Sequence, residues 1–206
     1  MKISVVIVAI FLGRLALADG APAGFEDPKL LAQVLSGKVV VEDKVSTNVE
    51  FVSIGKAFFK GASPEAYSKL AIDYKLYPKM FEEVVEGKAI KNNAEMTELD
   101  FMLHMVVSVG PFQQDVYPEG HHNVMYPKDA ISEGLIKMKI TNYTEYIKDA
   151  TQSTRLIPYQ GGILVEDTVH VLLQNPSAQA GLVKKKLKEF YNKYITNLRK
   201  ELKAVP

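Results

Sequence analysis

The chain has 206 residues, 47 % of them hydrophobic, enough for one domain with a large core. It contains no cysteine, which excludes a disulfide framework and a catalytic thiol. A formal net charge of +1 leaves no electrostatic footprint for nucleic acid.

The first 18 residues read as an export signal: Lys2, an apolar run from Ile3 to Leu12, and the small-x-small pattern Ala16-Leu17-Ala18. Cleavage after Ala18 removes Lys2 and Arg14 and no acid, taking the net charge to about −1. Arg14 breaks the run, so it is too short to span a bilayer; a retained anchor is the alternative. The expected location is exported, periplasmic or secreted. Residues 19–47 form a lead-in. Gly20 to Asp27 is rich in Pro, Gly and Ala and is expected to be loose. Pro28 to Leu35 reads as a short amphipathic helix stopped by Gly37, and Val39 to Val41 as a short strand or a tether.

From Val49 to Phe59 the period changes to two, with apolar residues on both faces of a long strand. Ala62-Ser63-Pro64-Glu65 opens a helix with a serine cap, a proline in the first turn and an acid. It runs through Tyr67, Leu70 and Ile72 to Tyr77-Pro78, and a short helix or turn follows over Lys79 to Phe81. Val84 to Lys91 leads to a turn at Lys91-Asn92-Asn93. Glu95 to Val109 then alternates, with Leu99, Phe101, Leu103, Met105 and Val107 on one face. Phe112 to Tyr117 is a weaker strand, and Pro118 to His122 reads as a turn. Further strands are expected over Ser132 to Thr141, Tyr146 to Pro158 and Ile163 to Leu173, the last two joined by the hairpin Tyr159-Gln160-Gly161-Gly162.

The last element is a helix from about Pro176 to Lys203, signalled by Asn175-Pro176-Ser177. Leu187, Phe190, Tyr191, Tyr194, Leu198 and Leu202 make one apolar stripe, and Lys184, Lys185, Lys188, Lys193, Arg199 and Lys200 occupy the other face. At 1.5 Å per residue the rod is roughly 40 Å long. Its large side chains are worth on the order of 10–15 kcal/mol gross when buried, and only a broad apolar sheet buries them all. The sum is an α+β chain with six or seven antiparallel strands and short helices between the first two of them. A strongly curved sheet wrapped around the terminal helix satisfies both apolar surfaces.

The order of elements, with Ala62-Ser63-Pro64-Glu65, Ile72-Asp73-Tyr74 and Tyr77-Pro78, resembles the START-like, polyketide-cyclase/dehydrase superfamily and its helix-grip fold. Leu156-Ile157-Pro158, the Gly161-Gly162 turn and the final helix are similar too, so the resemblance spans about residues 48–203. It implies a cavity between helix and sheet that holds a lipid, sterol, polyketide or similar hydrophobic molecule. Some such proteins are cyclases or aromatases, and fold alone does not settle which.

On that reading the inward face of one strand offers Phe101, Leu103 and Met105 to a ligand, and the closing strand offers Val165, Asp167 and Val169. Asp167 interrupts an apolar alternation, so it either orients the ligand or is exposed by a bulge or paired with a neighbour such as Arg155. Phe190, Tyr191 and Tyr194 line the helix side, each tyrosine joining an apolar ring to a hydroxyl, with border packing as the alternative. Tyr74 and Tyr77 are assigned to holding the helix-to-strand corner.

No metal centre, cofactor site or catalytic residue is assigned. His121 and His122 are adjacent and point to opposite faces of a strand, and His104 and His170 lie opposite the apolar stripes. There is no Gly-x-Ser-x-Gly and no glycine-rich phosphate or dinucleotide loop. Asn142-Tyr143-Thr144 is a glycosylation sequon of little weight. The lysine-rich helix face allows transient contact with an anionic bilayer, an ordinary solvated face being the alternative. The expected function is binding, and transport, of a hydrophobic small molecule such as a lipid or sterol; the rival is a polyketide cyclase or dehydratase, which needs an acid or base in the cavity.

Overall fold

A computed structural model of the chain describes residues 21–109, 112–128, 132–142, 147–175 and 180–203. The proposed export signal and Tyr143-Thr144 of the sequon lie outside them. The described chain opens with α1 (Pro28–Leu35) and β1 (Val40–Ser46). Then come β2 (Glu50–Lys60), α2 (Pro64–Ala71), a 3-10 turn at Tyr74–Leu76 and α3 (Tyr77–Met80). β3 (Val84–Asn92), β4 (Glu98–Val109), β5 (Phe112–Val116), β6 (Glu119–Met125) and β7 (Gly134–Ile140) follow. β8 (Ile147–Tyr159) and β9 (Gly162–Leu173) form the closing hairpin before α4 (Ala180–Glu201).

All nine described strands join one antiparallel sheet, ordered β1-β2-β9-β8-β7-β6-β4-β3, with β5 beside the far half of β4. That is more than the six or seven expected. The expected turn at Pro118 to His122 is instead the start of β6. Gly120 reads locally as a turn residue, yet a Cβ there would sit 2.4 Å from the Phe101 ring. The glycine serves a close approach inside a strand, not a bend. β1 also pairs fully, with Val40 opposite Lys56, so the short helices lie between the second and third strands rather than the first and second.

The lead-in is anchored, not loose. Phe25 is fully buried in a small outer core with Val34, Phe58, Ile157 and Leu164, on the convex side of the sheet under α1. Lys56 Nζ donates to the Gly24 carbonyl at 2.6 Å and sits over the Phe25 ring. This explains why β2 is apolar on both faces.

On the concave side, α4 lies against the sheet. Its C-terminal half is fixed firmly: Ile195 and Leu198 are buried among Phe59, Tyr67, Leu156 and Ile163. Arg199 donates to the Gly37 carbonyl at 2.8 Å and the Phe58 carbonyl at 2.9 Å, and its guanidinium covers the Phe59 ring. α2, capped by Ser63 through its hydroxyl to the Ala66 amide, closes the same end. The interior is thus solid at one end of the helix, and the question is what lies under the other.

Candidate ligand cavity

Under the N-terminal half of α4 the sheet and helix part. A cavity of about 590 Å³ lies between them, within the roughly 300–1,000 Å³ range of small-molecule sites. Its sheet wall is built by alternation: Phe101, Leu103 and Met105 from β4, His122 from β6, Ile136, Met138 and Ile140 from β7, and Gln152 and Thr154 from β8. Ala71, Tyr74, Tyr77 and Phe81 close the side toward the short helices. Phe190 and Tyr194 come from α4.

The cavity has a mouth and an inner end. At the mouth stand Glu82, Glu83, Lys186, Glu189 and Lys193, and Lys193 Nζ bridges to Glu82 at 2.8 Å and to Glu83 at 2.9 Å. Asn197 donates its amide to the Met80 carbonyl, a second tie between α4 and this loop. Phe81, Phe190 and Tyr194 stack just inside, with centroids 5.6–6.0 Å apart and planes within 11–18°. At the inner end His122, Met138 and Gln152 lie in one cross-strand row, and Ile136 and Thr154 in the next.

Two buried ionisable groups mark that inner end. His122 is only 6 % exposed, with the Tyr74 hydroxyl 3.1 Å from Nδ1 and 3.2 Å from Nε2. Burial, then the neighbouring His121, pulls its pKa down to about 4, so the imidazole is neutral at pH 7. Tyr74 itself is stacked on Phe101 at 4.5 Å. Asp167 is fully buried, and burial pushes its pKa up to about 6. Hydrogen bonds from Thr154 Oγ1 at 2.7 Å and from Gln152 Nε2 at 2.8 Å partly offset that cost.

Of the nine residues singled out in the sequence, Phe101, Leu103, Met105, Phe190 and Tyr194 line this cavity, and Val165, Asp167, Val169 and Tyr191 do not. Tyr191 explains the difference. Its ring lies where a Cβ on Gly55 would be, 2.6 Å away, and its hydroxyl donates toward the Asp167 carbonyl at 2.8 Å and the Ser53 carbonyl at 3.2 Å. That ring covers β2 and β9 and fills the space above them. Asp167 does face inward, as its alternation implied, but Gln152 and Thr154 stand between it and the lumen. Its suggested partner Arg155 is on the outer face, bonded to Glu166 at 3.0 Å and Glu133 at 3.3 Å.

Tyr74 and Tyr77, assigned to a structural corner, line the cavity as well. His122, Gln152 and Thr154 were not singled out. The available signal was their period-two spacing with Val124 and Leu156, each on the same face as a buried apolar neighbour. The other three histidines pair on the far side or the rim: His104 with Asp115 at 2.7 Å, His121 with Asp100 at 2.7 Å and His170 with Glu50 at 3.1 Å. Among the described residues no group of three or more His, Asp or Glu side chains is placed to hold a metal ion.

This geometry can be set against solved structures. A STAR-related lipid transfer protein fragment from Xanthomonas axonopodis superposes with a TM-score of 0.62 at 16 % identity, over 81 % of this chain and 93 % of that one. Human STARD10 gives 0.59 at 12 % identity, over 93 % and 83 %. This is the START-like helix-grip fold. An aromatase/cyclase from a Streptomyces species shares the START-like architecture too, with a TM-score of 0.58 at 8 % identity over 75 % of this chain and 94 % of that one. No family model matches the sequence, and no curated protein matches it. The START-like fold is therefore established here by shape, and the occupant must be argued from the cavity.

Proposed function

We propose that this chain binds and carries one hydrophobic small molecule, a single-chain lipid or a compact ring system such as a sterol, in the space between the curved sheet and α4. The observation that carries the reading is the hollow itself: about 590 Å³ with mainly apolar walls, beside an interior that is otherwise filled. Moving an apolar surface of that size out of water supplies the driving force. The STAR-related lipid transfer protein fragment that shares the fold supports the class of occupant.

The enzymatic alternative needs an acid or base in the lumen, with Asp167 and the tyrosines as candidates. Gln152 and Thr154 stand in front of Asp167, and burial raises the pKa of Tyr74, Tyr77 and Tyr194, which keeps their hydroxyls protonated. Binding is thus the better supported activity. The exposed Phe190 at the mouth, with Lys186 one helical turn before it on the same face, supports transient contact with an anionic bilayer during exchange. Export of a chain cleaved after Ala18 belongs to the same reading, and the N-terminal mass of protein recovered outside the cytoplasm tests it.

The decisive experiment is organic extraction of the purified protein followed by mass spectrometry, with binding of the neutral fluorophore N-phenyl-1-naphthylamine as a second readout. Recovery of a stoichiometric apolar compound, and fluorophore binding that Met138→Trp abolishes, is expected. Fluorophore binding that survives filling of the cavity overturns the reading.

A further inference from the structure

The inner end of the cavity is not uniformly greasy, and its polar groups are of one kind. His122 has two ring nitrogens, while its protein partner among the described residues is the single Tyr74 hydroxyl. One hydroxyl satisfies one nitrogen. The other belongs to a side chain 94 % buried, as 6 % exposure implies, and set in the cavity wall. A buried imidazole nitrogen without a partner is costly, so a ligand atom that reaches it is strongly selected.

Across β7, Gln152 occupies the same cross-strand row, two strand spacings or about 10 Å from His122. Its amide nitrogen is committed to both Asp167 oxygens, at 3.0 and 2.8 Å, which fixes the amide's orientation and leaves Oε1 as an acceptor on the cavity wall. Charge is distributed to match. Among the described lining residues the cations are Lys186 and Lys193, both at the mouth, and Lys193 is bridged to two glutamates. Behind the inner wall lies the Asp167 carboxyl. An anion pushed to that end meets a neutral imidazole, an amide oxygen and a buried acid, with no cation in reach.

We propose that the inner end is a subsite for an uncharged hydrogen-bonding terminus, a hydroxyl above all, which bonds the free ring nitrogen of His122 while the hydrocarbon fills the space toward the mouth. The ligand then sits polar end inward, and an alcohol is preferred over both the bare hydrocarbon and the matching carboxylate. This deepens the binding reading above and rests on it.

The test is competition against N-phenyl-1-naphthylamine by dodecane, dodecan-1-ol and dodecanoate at pH 8, with wild type and His122→Phe. Expected for wild type is tenfold or greater preference for the alcohol over each of the others. His122→Phe should bring the alcohol down to the alkane while leaving the alkane unchanged, and His122→Gln, which restores a donor and an acceptor, should recover part of the preference. Equal binding of the three ligands, tighter binding of dodecanoate, or an alcohol preference that persists in His122→Phe overturns the subsite while leaving the cavity reading intact. If the fluorophore fails to bind wild type, the cavity reading itself falls and the subsite with it. Should His122→Phe fold poorly, the wild-type order and the His122→Gln response still decide.

Discussion

Asp167 and His122 lie in neighbouring cross-strand rows of one sheet face, and burial moves their pKa values in opposite directions, to about 6 and about 4. Asp in an unfolded chain titrates near 3.9, so between about 4 and 6 the native state holds a proton that the unfolded chain has lost. Its contribution to stability therefore falls as pH rises through that window. For His122 the unfolded value is about 6.5, and between about 4 and 6.5 the unfolded chain holds the extra proton, so stability rises with pH. Each term is worth roughly 3 kcal/mol, and in the intact protein they oppose one another. Asp167→Asn should leave a stability that climbs from pH 4 to 6.5, and His122→Phe one that declines from pH 4 to 6. Urea midpoints across that range measure both, and two variants that track wild type would refute the assignment. Tyr191 makes a separate residue-level prediction. Removing its hydroxyl in Tyr191→Phe deletes a buried hydrogen bond to carbonyls that also lie in the β2–β9 ladder, which should cost about 0.5–1.5 kcal/mol in chemical denaturation. Fluorophore binding should stay unchanged, since that ring lies outside the cavity.

The elements divide labour along α4. Its last turns are held by buried side chains and two Arg199–carbonyl bonds, while ion pairs tie its start and its middle: Lys184 to Asp43 at 2.8 Å, and Lys193 to Glu82 and Glu83. Partly exposed pairs contribute little to global stability, about 0–1 kcal/mol. Lys193→Met should accordingly shift the denaturation midpoint hardly at all while raising the stopped-flow dissociation rate of the fluorophore several-fold. An unchanged rate would show that the bridge does not restrain the mouth. Element recognition from sequence succeeded where period and burial agree. β4 and β7 alternate, and α4 carries its stripe at Leu187, Tyr191, Tyr194 and Leu198. It failed at β6, where Gly120 makes room for an aromatic ring 19 residues earlier, a requirement no local window contains. For the same reason the cavity's extent was not legible. Val165 and Phe101 look alike in sequence, and only the long-range fit of Tyr191 onto Gly55 decides that one faces packed atoms and the other open space.

At the scale of the whole molecule the sheet serves two cores, one on each side. The outer one is small, but Phe25 within it ties the lead-in to β2 and β8, so those early residues are part of the folded unit. Phe25→Ala should destabilise the protein by about 3–5 kcal/mol, read from the denaturation midpoint, although the site is on the opposite side of the sheet from the ligand. A shift under 1 kcal/mol would mean the lead-in is dispensable. Finally, a sheet that curls without closing keeps two rims, here β1 and β3. The β3 rim exposes Val85 and Ile90 between Glu86, Lys88 and Lys91. Those charges act as spacers against strand-to-strand addition from another copy, the usual hazard of an unpaired margin. Replacing Lys88 and Lys91 with threonine should leave the monomer's fold intact yet hasten self-association, visible as rising light scattering at high concentration.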